Sequence, residues 1–137
     1  MTYDEKKLLM KDLCGRVPYG VKFTLVGNEG NIYYITGVKL GVTDDGELGY
    51  FVTAFDISSI EISGVKPYLR PIKTMTEEES KELSKMGKTM FRKISVALYK
   101  ELANADQIEW LDEHMFDYRG LIPMGLALEA PEDMYNN

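Results

Sequence analysis

The sequence predicts a single-domain α+β fold with an N-terminal helix, a strongly bent antiparallel sheet and C-terminal helices packed on it. Its 137 residues are enough to bury a hydrophobic core without disulfides or metals. The apolar fraction of 45% and the charged fraction of 28% are typical of globular proteins. The hydrophobic period changes from helical to two-residue alternation within residues 1–73 and becomes helical again in residues 74–130.

The first element is a predicted short helix. Thr2 and Glu5 form a T-x-x-E capping box, and Leu9 and Leu13 lie one turn apart. Gly15 is expected to end this helix in a left-handed conformation, with a proline three residues later.

The next segment, residues 19–62, alternates with the period of a β-strand. Residues 27–31 and the dipeptide Asp45-Gly46 carry turn chemistry, so they separate the strands of an antiparallel meander. Gly37 predicts a bulge or bend in the second strand, which would allow the sheet to curl into an SH3-like half barrel. The predicted second to fourth strands are 32–42, 50–55 and 60–62.

Residues 65–71 are interpreted as a rigid connector from sheet to helices. Pro67 and Pro71 flank Tyr-Leu-Arg, and proline does not fit inside a helix or a central strand.

The C-terminal half opens with a second capping box, made by Thr76 and Glu79. The helix that follows is expected to reach about Ala103, and whether it is broken at Gly87 stays open.

A further helix is expected to begin at Asp106, with Glu109 three residues on, and to end near His114. Asp117 is predicted to cap one more turn, which Gly125 closes. An edge strand within 126–130 and a tail over 131–137 complete the chain.

Charge is unevenly distributed along the chain. The net charge is −6, yet residues 1–73 are neutral, residues 81–100 carry +5 and residues 101–137 carry −8. A basic stripe occupies one face of the predicted helix, because its four members are spaced 4, 3 and 4 residues apart. The stripe consists of Lys81, Lys85, Lys88 and Arg92. It suits phosphate groups or an acidic partner, but a solvated outer face is the favoured interpretation, because amphipathic helices commonly carry lysine-rich outer faces.

Two adjacent tyrosines form a second candidate contact site. Tyr33 and Tyr34 lie on a predicted strand, so their side chains point to opposite faces. One of them could stack on a base or line a peptide groove, and the alternative is core packing.

The sequence offers little support for an enzymatic function. Cys14 and His114 are the single cysteine and histidine, which excludes zinc fingers, cysteine-ligated clusters and disulfide frameworks. Cys14 is expected to be a small buried hydrophobe, and His114 to pack against Trp110 on one helix face. Phosphate-loop, dinucleotide and hydrolase motifs are absent from the sequence. No catalytic, cofactor-binding or metal-binding residue is assigned, and no cofactor is expected.

Several short strings carry a resemblance that covers both ends of the chain and the connector. They are KPYLRP at 66–71, MTEEE at 75–79, FDYRGLI at 116–122 and GLALEAP at 125–131. With these strings the chain resembles a group of short uncharacterised proteins of anaerobic gut bacteria and their phages and mobile elements. The resemblance implies a bacterial or prophage origin and transfers no site residue.

The leading functional hypothesis is a non-enzymatic interaction or accessory module that binds a protein partner in the cytoplasm. The polar N-terminus, the lone thiol and the lack of a long apolar stretch favour that compartment and give no sign of a membrane contact. Nucleic-acid binding through the basic stripe is the alternative, and an undetected hydrolase or transferase is the third. A deep polar cleft at His114 would favour the enzyme, and an exposed apolar patch would favour the protein partner. The oligomeric state stays open.

Overall fold

The computed structural model describes residues 1–55, 57–86 and 103–135, and it has the predicted α+β architecture. The chain forms two compact units, Met1–Tyr68 and Leu69–Asn137, whereas the sequence placed the change of composition at residues 73 and 74. The elements are α1 (Tyr3–Arg16), β1 (Lys22–Leu25), β2 (Asn28–Val42), β3 (Leu48–Ala54), β4 (Ile57–Glu61), β5 (Val65–Leu69), α2 (Glu77–Lys85), α3 (Ala105–Glu113) and β6 (Leu128–Glu129).

Helix α1 begins at the predicted capping box, in which the Thr2 hydroxyl accepts from the Glu5 N–H and the Glu5 carboxylate accepts from the Thr2 N–H. The predicted end at Gly15 is wrong. The helix continues to Arg16, and a 3₁₀ turn follows that ends at Gly20, where φ is 80°. The reason is that proline fits the first turn of a helical segment, so Pro18 extends the helical path by one turn.

The strands form one six-stranded mixed sheet that is not closed, in the order β4-β3-β2-β1-β5-β6. The pairings β1–β2, β1–β5, β2–β3 and β3–β4 are all antiparallel. The predicted irregularity at Gly37 is confirmed, because the register between β2 and β3 shifts between Ile35 and Gly37.

The first turn of the sheet is tighter than predicted. Residues 27–31 were expected to form it, yet β2 already begins at Asn28, which pairs with Leu25. Gly27 reaches φ 87°, a left-handed value that glycine adopts without steric cost, so Val26 and Gly27 suffice for the reversal.

The predicted connector is a strand for most of its length, which corrects the interpretation of residues 65–71. β5 pairs with β1, with Pro67 opposite Phe23, and Pro67 is buried. On the other side of β5, the two-residue strand β6 joins the sheet near Leu69, whose carbonyl accepts from the Ala130 N–H at 2.8 Å. A proline lacks only its own N–H, so the neighbouring residues of β5 can still pair with β1.

The core of the first unit lies between α1 and the sheet. Leu9 and Leu13 on one helix face are buried, as are inward-facing strand residues. Asp12 and Arg16, one helical turn apart, form a buried bidentate ion pair with distances of 2.8 and 3.0 Å. Further members of this core are Val21, Phe23, Ile35, Val52, Ile62 and Val65.

In the second unit, the capping box of Thr76 and Glu79 is confirmed at the start of α2. Helix α2 ends at Lys85, with Met86 as its C-cap, and the expectations for a helix through Gly87 to about Ala103 fall mostly on residues 87–102, outside the described residues. The core contains Ile72, Met75, Leu83, Trp110, Leu111, Phe116 and Tyr118.

The predicted start of α3 is wrong by two residues. The N-cap is Asn104, and the reciprocal partner is Gln107 rather than Glu109. Asparagine caps as well as aspartate does, and glutamine can take the place of glutamate in the box. The capping role of Asp117 is confirmed, since its carboxylate accepts from the backbone N–H groups of Leu121 and Ile122.

Candidate protein-interaction surface

The two tyrosines lie on opposite faces of β2, as the alternation predicts. Tyr33 is half-buried, and its ring packs 5.5 Å from that of Phe23. Tyr34 is 54% exposed, and the ammonium group of Lys22 lies 5.3 Å from the centre of its ring. Tyr34 therefore offers an aromatic face beside a cation, whereas Tyr33 contributes to packing.

The basic stripe is described only in part. Lys81 and Lys85 are exposed on α2, and Lys88 and Arg92 lie outside the described residues. The described helix also carries four glutamates, at positions 77, 78, 79 and 82, so its own net charge is negative. The two lysines belong to the second unit and the two tyrosines to the first, so neither unit contains all the candidate contacts.

Cys14 is not the buried side chain that we expected. It is a free thiol on the exposed side of α1, because the buried face of the helix passes through positions 9, 12, 13 and 16 instead. Partial burial nevertheless raises the pKa of the Cys14 thiol above its usual value, and a raised pKa disfavours a nucleophilic role.

His114 lies beside Trp110, as predicted, with ring centres 3.9 Å apart. Its Nδ1 is 2.9 Å from the Trp110 carbonyl oxygen. A carbonyl oxygen can only accept, so Nδ1 carries the proton and donates it in this bond. The imidazole therefore ends α3 as a packed C-cap residue.

A polar groove of about 750 Å³ borders His114 within the second unit. Three of the side chains that line it, those of Arg70, Glu79 and Thr76, take part in local contacts. Arg70 donates to both carboxylate oxygens of Glu79, at 2.8 and 2.9 Å, and its guanidinium lies 4.1 Å from the centre of the Phe116 ring. The hydroxyl of Thr76 caps α2. These contacts stabilise the fold around the groove.

A second feature, which the sequence reasoning missed, is an exposed apolar ladder on the β2–β3 hairpin. Leu40 and Val42 are each 65% exposed, and Leu48 is 77% exposed. Val42 pairs directly with Leu48, and Leu40 pairs with Tyr50. All four side chains share one face of the hairpin because they occupy alternate positions. We call Leu40, Val42 and Leu48 the hairpin ladder.

The hairpin ladder is exposed because α1 covers only the inner part of this sheet face. Val52, two pairs further from the turn than Tyr50, is completely buried. Near its start, α1 reaches Tyr50 through Tyr3, which is itself 67% exposed. The hydrogen bond with Tyr3, with a smaller contribution from burial, raises the pKa of the Tyr50 phenol. Beyond this contact the hairpin extends past the helix.

The tip of the hairpin is acidic and tightly turned. The Gly46 N–H donates to the Thr43 carbonyl at 2.9 Å, and the Thr43 N–H donates to the Glu47 carbonyl at 2.8 Å. Gly46 has φ 81°, which the turn requires. Asp44 and Asp45 are exposed on this turn. The hairpin ladder thus has a negatively charged rim at its outer end.

Alternation in the sequence indicates that positions 38, 40 and 42 share a face, but it is equally typical of a face that a helix covers. How far the hairpin ladder is exposed depends on where α1 begins relative to the hairpin turn. The signal available in the sequence was the length of the second apolar run beyond what a 14-residue helix could cover.

Comparison of the chain with protein-family models, with curated proteins and with solved structures finds no significant match.

No helix within residues 1–55, 57–86 and 103–135 has the length and apolar character needed to cross a membrane. In the same part of the chain, no group of three or more His, Cys, Asp or Glu side chains is placed to hold a metal ion.

Proposed function

We propose that this protein is a non-enzymatic interaction module that binds a protein partner through the hairpin ladder, acting in the cytoplasm of a bacterium or as a prophage product. The observation that carries the proposal is the alignment of three large apolar side chains, each at least 65% exposed, on one face of a projecting hairpin. Exposed apolar side chains that are contiguous, rather than scattered, mark surfaces that bind other proteins.

The chemistry of the surface specifies the kind of partner. The centre is apolar and the outer rim carries Asp44, Asp45 and Glu47. Interfaces of this type combine a desolvated apolar centre with a polar, charged rim. The partner surface is therefore apolar at its centre and basic where it meets the hairpin turn, because complementary charges favour encounter and orientation.

Site-specific photocrosslinking in the native bacterium tests this proposal. A photoreactive phenylalanine analogue replaces Leu48 in the hairpin ladder, and in a control it replaces Lys39, which is exposed on the other face of the same hairpin. We expect a discrete adduct with a protein of different mass at position 48 and not at position 39. Failure to form such an adduct at position 48, or equal adducts at both positions, contradicts the proposal.

A further inference from the structure

The hairpin exposes a strand edge as well as an apolar face. β1 pairs with β2 up to Tyr34, and the Ile35 N–H still donates to the Val21 carbonyl at 3.1 Å. From Val38 to Val42, the strand pairings of the described residues involve only the opposite edge of β2, where β3 lies. Within the part of the chain that the structure describes, this stretch of β2 is therefore a strand edge next to which a further strand could add.

The hydrogen-bond alternation identifies which backbone groups point to that edge. The Thr43 N–H bonds to the Glu47 carbonyl across the hairpin. Because this pattern repeats every second residue, the backbone groups of Gly41 and Lys39 also point to β3. The residues between them present their N–H and C=O groups to the other side. These residues are Val38, Leu40 and Val42.

A second copy of the same edge matches these groups. In an antiparallel arrangement with the two-fold axis at Leu40, Leu40 lies opposite itself and Val38 lies opposite Val42. This is the register in which all three outward-facing residues pair at once. It also places Lys39 opposite Gly41 instead of opposite the same lysine, and so avoids like charges directly facing each other.

The side chains and charges agree with the same arrangement. Leu40 and Val42 of one copy adjoin Leu40 and Val38 of the other, so apolar side chains meet apolar side chains across the new pairing. The acidic turns point in opposite directions and lie far apart. Each turn ends near the start of β1 in the other copy, where Lys22 supplies a positive charge.

We infer that two copies of this chain pair along β2, with Val38, Leu40 and Val42 as the pairing residues, and form a continuous β3-β2-β2-β3 sheet. The inference goes beyond the proposed function, because it assigns a second copy of the chain to the strand edge of the same hairpin. It adds backbone hydrogen bonds between the two β2 strands, which the exposed apolar face alone does not require. Leu48 lies on β3, one strand away from the pairing of the two copies.

Mass measurements of the full chain test the inference. By light scattering over about 1 to 300 µM, we expect the wild-type mass to rise from 15.6 kDa toward twice that value. Leu40→Lys places like charges directly opposite each other, so this variant is expected to stay at 15.6 kDa. Leu48→Lys is the matched control, because it adds the same charge to the same face outside the pairing and should leave dimerisation unchanged. A wild-type mass that stays at 15.6 kDa, or equal loss in both variants, overturns the inference.

A disulfide test keeps the inference falsifiable if Leu40→Lys fails to fold. With Cys14→Ser as background, Leu40→Cys should form a covalent dimer on mild oxidation, since Cα atoms of such a pair lie about 5.5 Å apart. Leu48→Cys is the control and should remain monomeric. Equal crosslinking at both positions contradicts the register. A monomeric chain that still forms the photocrosslinked adduct refutes only the dimer, and a dimer without that adduct refutes only the proposed function.

Discussion

Glu79 combines two local functions in one side chain. Its carboxylate closes the capping box of α2 by accepting from the Thr76 N–H, and it also holds the guanidinium of Arg70. Burial raises the pKa of Glu79, but hydrogen bonds from Arg70 and Thr76, together with the Arg70 charge, outweigh it and hold the pKa below the usual 4.5. Ionised Glu79 therefore stabilises the folded state.

The pH dependence of that stabilisation has a definite sign. Because the folded-state pKa is lowered, the contribution is complete above pH 4.5 and is lost as the pH falls through the folded-state pKa. We expect Glu79→Gln to lower the free energy of unfolding by about 1 kcal/mol at pH 7, the side chains being partly exposed. The difference from wild type should shrink below pH 4.5, as measured by urea denaturation followed by Trp110 fluorescence.

Glu78→Gln is the control for this measurement, since Glu78 is the exposed neighbour in the same helical turn. It removes the same charge near the helix N-terminus without removing the bonds to Arg70. A difference between Glu79→Gln and wild type that stays constant from neutral to acidic pH would refute the assigned role.

At the scale of elements, the beginning of α3 is bonded to the end of α2. The Gln107 side-chain amide donates to the Leu83 carbonyl at 3.0 Å, and the Asn104 amide donates to the Met86 carbonyl at 3.0 Å. The Leu83 carbonyl also accepts from the Met86 N–H at 3.2 Å, so Gln107 is its second donor. The capping box of α3 thus adds side-chain donors to the C-terminal end of α2.

Gln107→Glu separates these two roles. A glutamate can still accept from the Asn104 N–H, but its carboxylate cannot donate to the Leu83 carbonyl, and position 107 is buried. We expect the free energy of unfolding to fall by about 1–3 kcal/mol at pH 7, with partial recovery at acidic pH, where a protonated carboxyl can donate again. Urea denaturation monitored by Trp110 fluorescence measures both values.

Asn104→Asp provides the comparison, because aspartate caps a helix as well as asparagine and the lost bond to Met86 is exposed. Its expected cost is below about 0.5 kcal/mol. If Asn104→Asp destabilised the protein as much as Gln107→Glu, the buried bond between the helices would not be the dominant interaction.

At the scale of the whole molecule, the net charge of −6 combines a neutral first half, the three glutamates at positions 77–79, a basic segment and an acidic C-terminal third. The acidic residues around the described part of the basic stripe weaken its attraction for phosphates. The nucleic-acid hypothesis remains a prediction, since half of the stripe lies outside the described residues.

Filter binding to duplex and single-stranded DNA at low salt addresses that hypothesis. From the net charge we expect no salt-dependent retention of either DNA by the wild-type protein. Lys85→Glu/Lys88→Glu is the diagnostic variant. Retention by wild type that falls with salt and is abolished in this variant would establish the basic stripe as a nucleic-acid contact.

Local chemistry accounts for the parts of the fold that the sequence predicts correctly. The capping boxes at Thr2 and Thr76, the turn at Asp45-Gly46 and the bulge at Gly37 depend on residues within a few positions of one another. Their physical causes, which are backbone donors without helical partners and the steric freedom of glycine, act within a single turn or strand. Sequence patterns therefore identify these features without knowledge of the neighbouring elements.

Contacts between distant segments account for what the sequence left open or predicted wrongly. Pro67 lies in a strand because β5 pairs with the distant β1, and Cys14 is exposed because other positions of α1 face the sheet. The exposure of the hairpin ladder also depends on tertiary packing, because the alternation of apolar residues is the same whether or not a helix covers them. Whether an apolar side chain is buried depends on which other segments pack against it in the folded protein. The stabilisation gained from burying it therefore depends on tertiary packing and not on sequence spacing.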